Sequence, residues 1–242
     1  YIVLVLLYLN KYYNYNINII AIARNKDKFN KIFCDFINDD KLKLICINLS
    51  DLRKDMLDEY TIHYIMHTAS TSMSDKFLSD PLNLVNTNIL ATSSLLEIAK
   101  NNPLISFLFF SSGAVYNSKD RFIIEDKFEG INPLSVSSLY SGTKFTAELL
   151  CNIYHLQFNI PIKIARIIHT YSPTMNLDND TRVFAEFVKN IINNENIIIK
   201  SDGKGLRAFC YIVDAVSAFF KILIDGKDGE AYNVANNNAV VS

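Results

Sequence analysis

The stretch LISFLFFSS, residues 104–112, is apolar at six of its first seven positions and then stops on two serines. A run this short, without polar alternation, is the pattern of a strand covered on both faces, as in a parallel sheet. Working outward, INIIAIA (17–23), LKLICI (42–47), IHYIMH (62–67) and IPIKIARI (160–167) read the same way. The longer segments 81–101 and 137–158 between them have helical periodicity. Strands alternating with helices predict an α/β fold, a doubly wound parallel sheet. Beyond Arg166 the spacing predicts a polar loop (HTYSPTMNLDND), a helix over 181–194 and a short strand at IIIK (197–200). A strand at RAFCYIV (207–213), the helix DAVSAFFKILID and a last strand at AYNVA (231–235) follow. The expected division is a core over 1–167, a substrate-binding insertion over 168–206, a return to the core over 207–235, and an end segment over 236–242.

Half of the 242 residues are hydrophobic and the net charge is −1, with acids and bases interspersed. No Lys/Arg block offers a footprint for nucleic acid or a membrane surface, so small-molecule partners are expected. Cys34, Cys46, Cys151 and Cys210 are widely spaced, with no CxxC pair. Free thiols in a reducing, cytoplasmic setting and no metal are the expectation. The opening YIVLVLLYLN lacks the basic flank and cleavage site of a signal peptide, and its apolar run is about half a bilayer span. It reads as a buried helix.

Ligands of an open parallel sheet bind beyond the C-terminal ends of its strands. Those ends carry Arg24 and Asn25, Asn48 and Leu49, His67 to Ser70, Ser111 to Gly113, and Arg166 with His169. About thirty residues after Ser112, the segment SSLYSGTKFTAELL (137–150) places Tyr140 and Lys144 one helical turn apart on one face. A serine-rich lead-in suits a helix N-cap there.

Several motifs in order resemble the extended short-chain dehydrogenase/reductases, in their NAD-dependent epimerase/dehydratase branch acting on nucleotide sugars. They are HTAS (67–70), NTNILATSSLLEIAK (86–100), FFSSGAVY (109–116), YSGTK (140–144), ARIIHTYSP (165–173) and RAFCYIVDAV (207–216). The resemblance implies that Tyr140 is the general base, that Lys144 tunes it and holds the nicotinamide ribose, and that Ser112 orients the substrate oxygen. A free phenol titrates at about 10, and an ammonium within about 4–6 Å lowers that by about 1–3 units. The resemblance also implies cofactor contacts at Arg24, Asn48, Leu49, Thr68, Ala69, Ser70, Asn88 and Ser111, beside Tyr140 and Lys144. Arg207 is implied as the clamp on a nucleotide diphosphate, and His67 as structural. NAD is the implied cofactor, with NADP admitted by Arg24. A homodimer is implied through a four-helix interface using Leu149, Leu150 and Ile153.

Two departures qualify the resemblance. No GxxGxxG occurs, and all seven glycines lie at residue 113 or later. The phosphate-binding turn is therefore expected upstream of residue 1, with YIVLVLLYLN as the helix after it, and the substrate-binding part is expected to continue past Ser242. The residues after Ser112 are Gly113-Ala114, where dehydratases of the branch carry Asp-Glu and the decarboxylases Glu. That favours an epimerase or keto-sugar reductase, with a dehydratase or decarboxylase as the alternative. A non-catalytic dinucleotide sensor is the alternative of another class, from Asn48, Ala91 and Ser172 at positions where the branch commonly has Asp, Gly and Gly.

Overall fold

A computed structural model describes residues 1–70, 80–118, 123–175, 177, 178, 180, 182–199 and 201–241. The chain divides into two compact units, Tyr1–Glu59 and Tyr60–Ser242. In the first, the opening apolar run forms helix α1, Ile2–Tyr13. It ends where Asn14 turns left-handed at φ 55°, a conformation asparagine tolerates better than most residues. The Asn10 side chain then grips Ile17 twice, donating to its carbonyl at 2.8 Å and accepting from its N–H at 2.9 Å. This aims the chain into β1, Ile19–Ala23, which pairs in parallel with β2, Leu42–Cys46. Helix α2, Lys26–Ile32, joins them, and Asn25 caps it by accepting from the Lys28 N–H. Leu7, Ile19, Phe29, Phe33 and Phe36 form the core of this unit.

The second unit is built on a parallel four-stranded sheet in the order β3-β4-β5-β9. The strands are β3, Tyr64–His67; β4, Ser106–Ser112; β5, Ile162–Ile167; and β9, Ala231–Val234. Phe107, Leu108 and Phe109 are fully buried, as the absence of polar alternation predicts. Successive side chains of β4 go to opposite faces. The Phe109 ring faces Lys144 of one helix, and the Phe110 ring packs on Phe219 of another. These helices are α5, Leu139–Phe158, and α7, Ile212–Asp225. The sheet is thus covered on both sides.

The segment 81–101 is helical as far as Lys100 but not uniform. Helix α3, Pro81–Val85, and helix α4, Ala91–Lys100, are joined by a π turn over Asn86–Leu90. Helix α6, Val183–Ile192, completes the set. Among the described residues, no helix is long and apolar enough to cross a membrane.

Three local expectations are corrected. The isoleucines at 197–199 lie outside any described strand and are exposed; β-branched residues make a strand only where a neighbouring ladder receives them. RAFCYIV is two bridges and a helix start: β7, Arg207–Ala208, pairs antiparallel with β10, Val240–Val241, while β8, Cys210–Tyr211, pairs in parallel with β6, Thr170–Tyr171. Ile212 and Val213 already belong to α7, whose buried Ala215, Val216, Phe219, Ile222 and Leu223 keep helical spacing. Finally, the serines before α5 do not cap it through their side chains: the hydroxyls of Ser135 and Ser137 bond each other, and a 3-10 turn over Val136–Ser138 leads into the helix.

Candidate active site

Strand β4 ends at Ser112, whose hydroxyl accepts from the Ala114 N–H and caps the 3-10 turn Gly113–Tyr116. A Cβ at residue 113 would come within 2.9 Å of Ile168 Cγ1, so a glycine sits where β4 leaves the sheet. Across from this end runs α5, with Tyr140, Lys144 and Glu148 in one stripe at four-residue spacing. The Tyr140 hydroxyl is hydrogen-bonded to Ser112 and Ser70. Lys144 is buried and donates to the Phe110 carbonyl at 2.7 Å. Ser111 donates its hydroxyl to Glu148.

The π turn has a clear use. A widened turn redirects side chains that an α-helix would leave on another face, and here it seats Asn88, which is completely buried. Asn88 Oδ1 accepts from Ser70, and its Nδ2 donates to Thr143 at 2.9 Å. Thr143 in turn donates to the Tyr140 carbonyl. Ser70, Asn88, Thr143 and Tyr140 thus form one hydrogen-bonded chain from the end of β3 to the start of α5.

His67, at the last position of β3, is 2% exposed. Thr92 gives its proton to the Asn88 carbonyl at 2.6 Å, so the 2.8 Å contact with His67 Nε2 requires the ring to donate there. Burial, with the Lys144 charge adding to it, holds the imidazole neutral and pushes its pKa down to about 3. His67 acts as a donor that orders the Asn88 turn, in keeping with a structural role.

The electrostatics correct one expectation. Burial pushes the Tyr140 phenol above its ordinary value, opposed by the hydrogen bonds from Ser112 and Ser70 and by the Arg182 charge. Lys144 does not lower it here, because its ammonium turns to the Phe110 carbonyl. Burial also brings Lys144 down to about 8, against the pull of the Cys151 thiol and the Glu148 carboxylate.

The other expected residues are more scattered. Thr68 and Ala69 follow β3 beside Ser70. Arg24, exposed after β1, and Asn48 and Leu49, after β2, belong to the first unit. Ser111, expected at the cofactor, commits its proton to Glu148. Arg207 is exposed, with Nη1 on the Leu206 carbonyl at 2.9 Å. Burial holds His169 below its ordinary value, with the charges of Arg207 and Arg182 adding to it. Arg182 is held by Asp180 through a forked ion pair.

The site also contains residues that motif reading passed over: Glu148, Thr143, Thr92 and Arg182. Arg166, near the end of β5, turns into the core. Its Nε and Nη2 clamp Glu148, and Nη1 donates to the Tyr116 hydroxyl and the Glu125 carbonyl. Glu148 was legible, since it continues the Tyr140/Lys144 stripe by one turn. Thr92 and Arg182 carry no such spacing signal.

Residues 7–235 match the model of the NAD dependent epimerase/dehydratase family. A dTDP-D-glucose 4,6-dehydratase of Dictyostelium discoideum is 30% identical over 198 residues, covering 78% of this chain and 44% of its own length. UDP-glucuronic acid decarboxylase 5 of Arabidopsis thaliana is 32% identical over 176 residues, covering 72% of this chain and 51% of its own. The chain therefore spans about half the length of these curated relatives. Among solved structures, a Bacillus cereus UDP-glucuronic acid 4-epimerase in complex with NAD superposes with a TM-score of 0.75 at 25% identity, over 90% of this chain and 70% of that one. A dTDP-glucose 4,6-dehydratase of Bacillus anthracis, also with NAD, shares the fold at a TM-score of 0.77 and 20% identity, over 98% of this chain and 73% of that one. By the match over nearly its whole length, the chain belongs to the NAD dependent epimerase/dehydratase family.

Proposed function

We propose that the protein oxidises a hydroxyl of a nucleotide sugar to a transient keto-sugar and returns it as an epimer or a reduced product. The observation that carries this is the Tyr140 hydroxyl bonded to Ser112, with Lys144 one turn below on the same stripe. A sugar hydroxyl entering between Ser112 and Tyr140 receives a hydrogen bond from the serine and gives its proton to the phenolate. The charge of Arg182 favours that phenolate, against the burial that raises the phenol.

The donor set fits the nicotinamide-ribose end of NAD. Lys144 spends one of its three N–H groups on Phe110 and has others to offer a ribose diol, and Ser70 and Asn88 flank it through Thr143. NAD supplies the acceptor for the hydrogen leaving carbon. NADP is the outcome to compare because of Arg24. Arg207, with Arg182, would hold the diphosphate of the sugar nucleotide, as planar guanidinium forks suit phosphate oxygens.

Gly113 and Ala114 put no carboxylate after Ser112, which favours epimerase or keto-reductase over dehydratase or decarboxylase, where a further acid or base is needed. The test is to incubate the full-length protein with NAD or NADP and UDP-, dTDP-, CDP- and GDP-sugars. Epimerised or reduced sugar is expected. Loss of water or carbon dioxide would move the assignment to the alternatives, and no turnover with any sugar would favour the non-catalytic sensor.

The homodimer belongs to the same proposal. Leu149 and Ile153 on α5, with Leu156 and Phe145, are exposed, and an apolar helix face of this kind suits a helix-to-helix interface. Sedimentation of the full-length protein is expected to give twice the monomer mass, and the monomer mass would refute it.

A further inference from the structure

Three consecutive positions of β4 are each tied to one member of the α5 stripe. The Phe110 carbonyl accepts from Lys144, Ser111 donates to Glu148, and Ser112 bonds Tyr140. On the functional reading above, two of these ties must loosen when substrate and cofactor enter. Ser112 and Tyr140 exchange their contact for the sugar oxygen, and Lys144 turns part of its ammonium to a ribose. Only the Ser111–Glu148 tie has no second duty. It is also the one backed by a buried guanidinium: Arg166 reaches both carboxylate oxygens with Nε and Nη2 at 2.7–3.2 Å, while its Nη1 fixes Tyr116 and the Glu125 carbonyl.

We propose that Glu148, clamped by Arg166, is a positioning residue that keeps the end of β4 in register with α5 during turnover and keeps Lys144 charged. The proposal rests on the functional reading for its kinetic part only. The charges are these: Glu148 is the carboxylate one turn after Lys144 on the stripe, its charge favours the Lys144 ammonium, and Arg166 clamps it. The other titratable groups facing Lys144 are Cys151 from α5 and His67 from β3; β4 offers the Phe109 ring at 5.0 Å and the Phe110 carbonyl. A neutral Glu148 would leave Lys144 and Arg166 as two buried cations with no shared anion, so Lys144 would release its proton at lower pH.

The experiment uses the full-length protein and two variants, each followed by turnover and by NMR titration of carbon-labelled lysine. Glu148→Gln keeps an acceptor for Ser111 and removes the charge. It is expected to lower kcat by about 10- to 100-fold through misplacement, with KM nearly unchanged. The Lys144 titration should move down by about one unit, and the alkaline limb of the rate with it. Ser111→Ala cuts the tie and leaves the ion pair, so it should lower kcat while Lys144 titrates as in the parent. A folded Glu148→Gln protein with the parent's kcat and Lys144 titration would overturn the proposal. So would a Ser111→Ala protein with the parent's kcat, which decides the matter if Glu148→Gln does not fold. A parent that turns over no sugar would fail the functional reading instead, and the Lys144 titration would still decide the role of Glu148.

Discussion

Tyr140→Phe is expected to lower kcat by about 10²- to 10⁴-fold, the usual contribution of a positioned proton-transfer group. The substitution removes one oxygen and leaves the ring in place. Ser70 keeps its donation to Asn88, and the Thr143 contact is with the Tyr140 carbonyl, which is untouched. The chain of hydrogen bonds that shapes the site therefore survives, and KM should change little. Steady-state kinetics on the full-length protein, with circular dichroism to confirm the fold, make the comparison. The rate falls because no other described group bonded to Ser112 is placed to accept the sugar proton.

Arg166→Met is expected to destabilise the fold by about 3–5 kcal/mol, because it strands the Glu148 carboxylate in the core. Glu148 and Arg166 are 9% and 6% exposed at the side chain, so water cannot take over from the lost partner. The remaining contact, from Ser111, satisfies one lone pair. Against a typical domain stability of about 5–15 kcal/mol this is a large loss. The double substitution Glu148→Leu with Arg166→Met should recover most of it, since an apolar pair removes the stranded charge as well as the bond. Urea denaturation of the four proteins gives the cycle. The double variant also separates two effects: stability returns, while kcat stays low if Glu148 holds the end of β4.

The centre of the sheet was legible because β4 and β5 are buried on both faces, and such strands are written as short, mostly apolar runs. LISFLFF and IPIKIARI needed no tertiary information. The helix α1 was legible from its apolar run, but its burial was not: Leu7 is its one buried residue, and Tyr8, Tyr12 and Tyr13 are exposed. IIIK failed because propensity cannot say whether a neighbouring strand is present. RAFCYIV failed because the first residues of α7 are β-branched and apolar, so the change of period at Ile212 is hidden.

In the site, the nearness of Tyr140 and Ser112 followed from the order of motifs that resemble the family's, and Tyr140 and Lys144 lie one turn apart on α5. The direction of the Tyr140 shift was not readable. It depends first on burial, which raises the phenol, and then on which way a four-carbon side chain turns: Lys144 finds the Phe110 carbonyl instead of the phenol. The Asn88 turn was equally hidden, because a π turn inserts its extra residue without a sequence signature, and its partners Ser70 and Thr143 lie 18 and 55 residues away.

The central claim is that the Tyr140 phenol takes the sugar proton, and its titration can be followed directly. In the NAD-bound full-length protein with carbon-labelled tyrosine, the Tyr140 resonance should change with pH along the acidic limb of kcat/KM, and below the value found without NAD. A phenol that stays protonated across the whole range of activity would contradict the account.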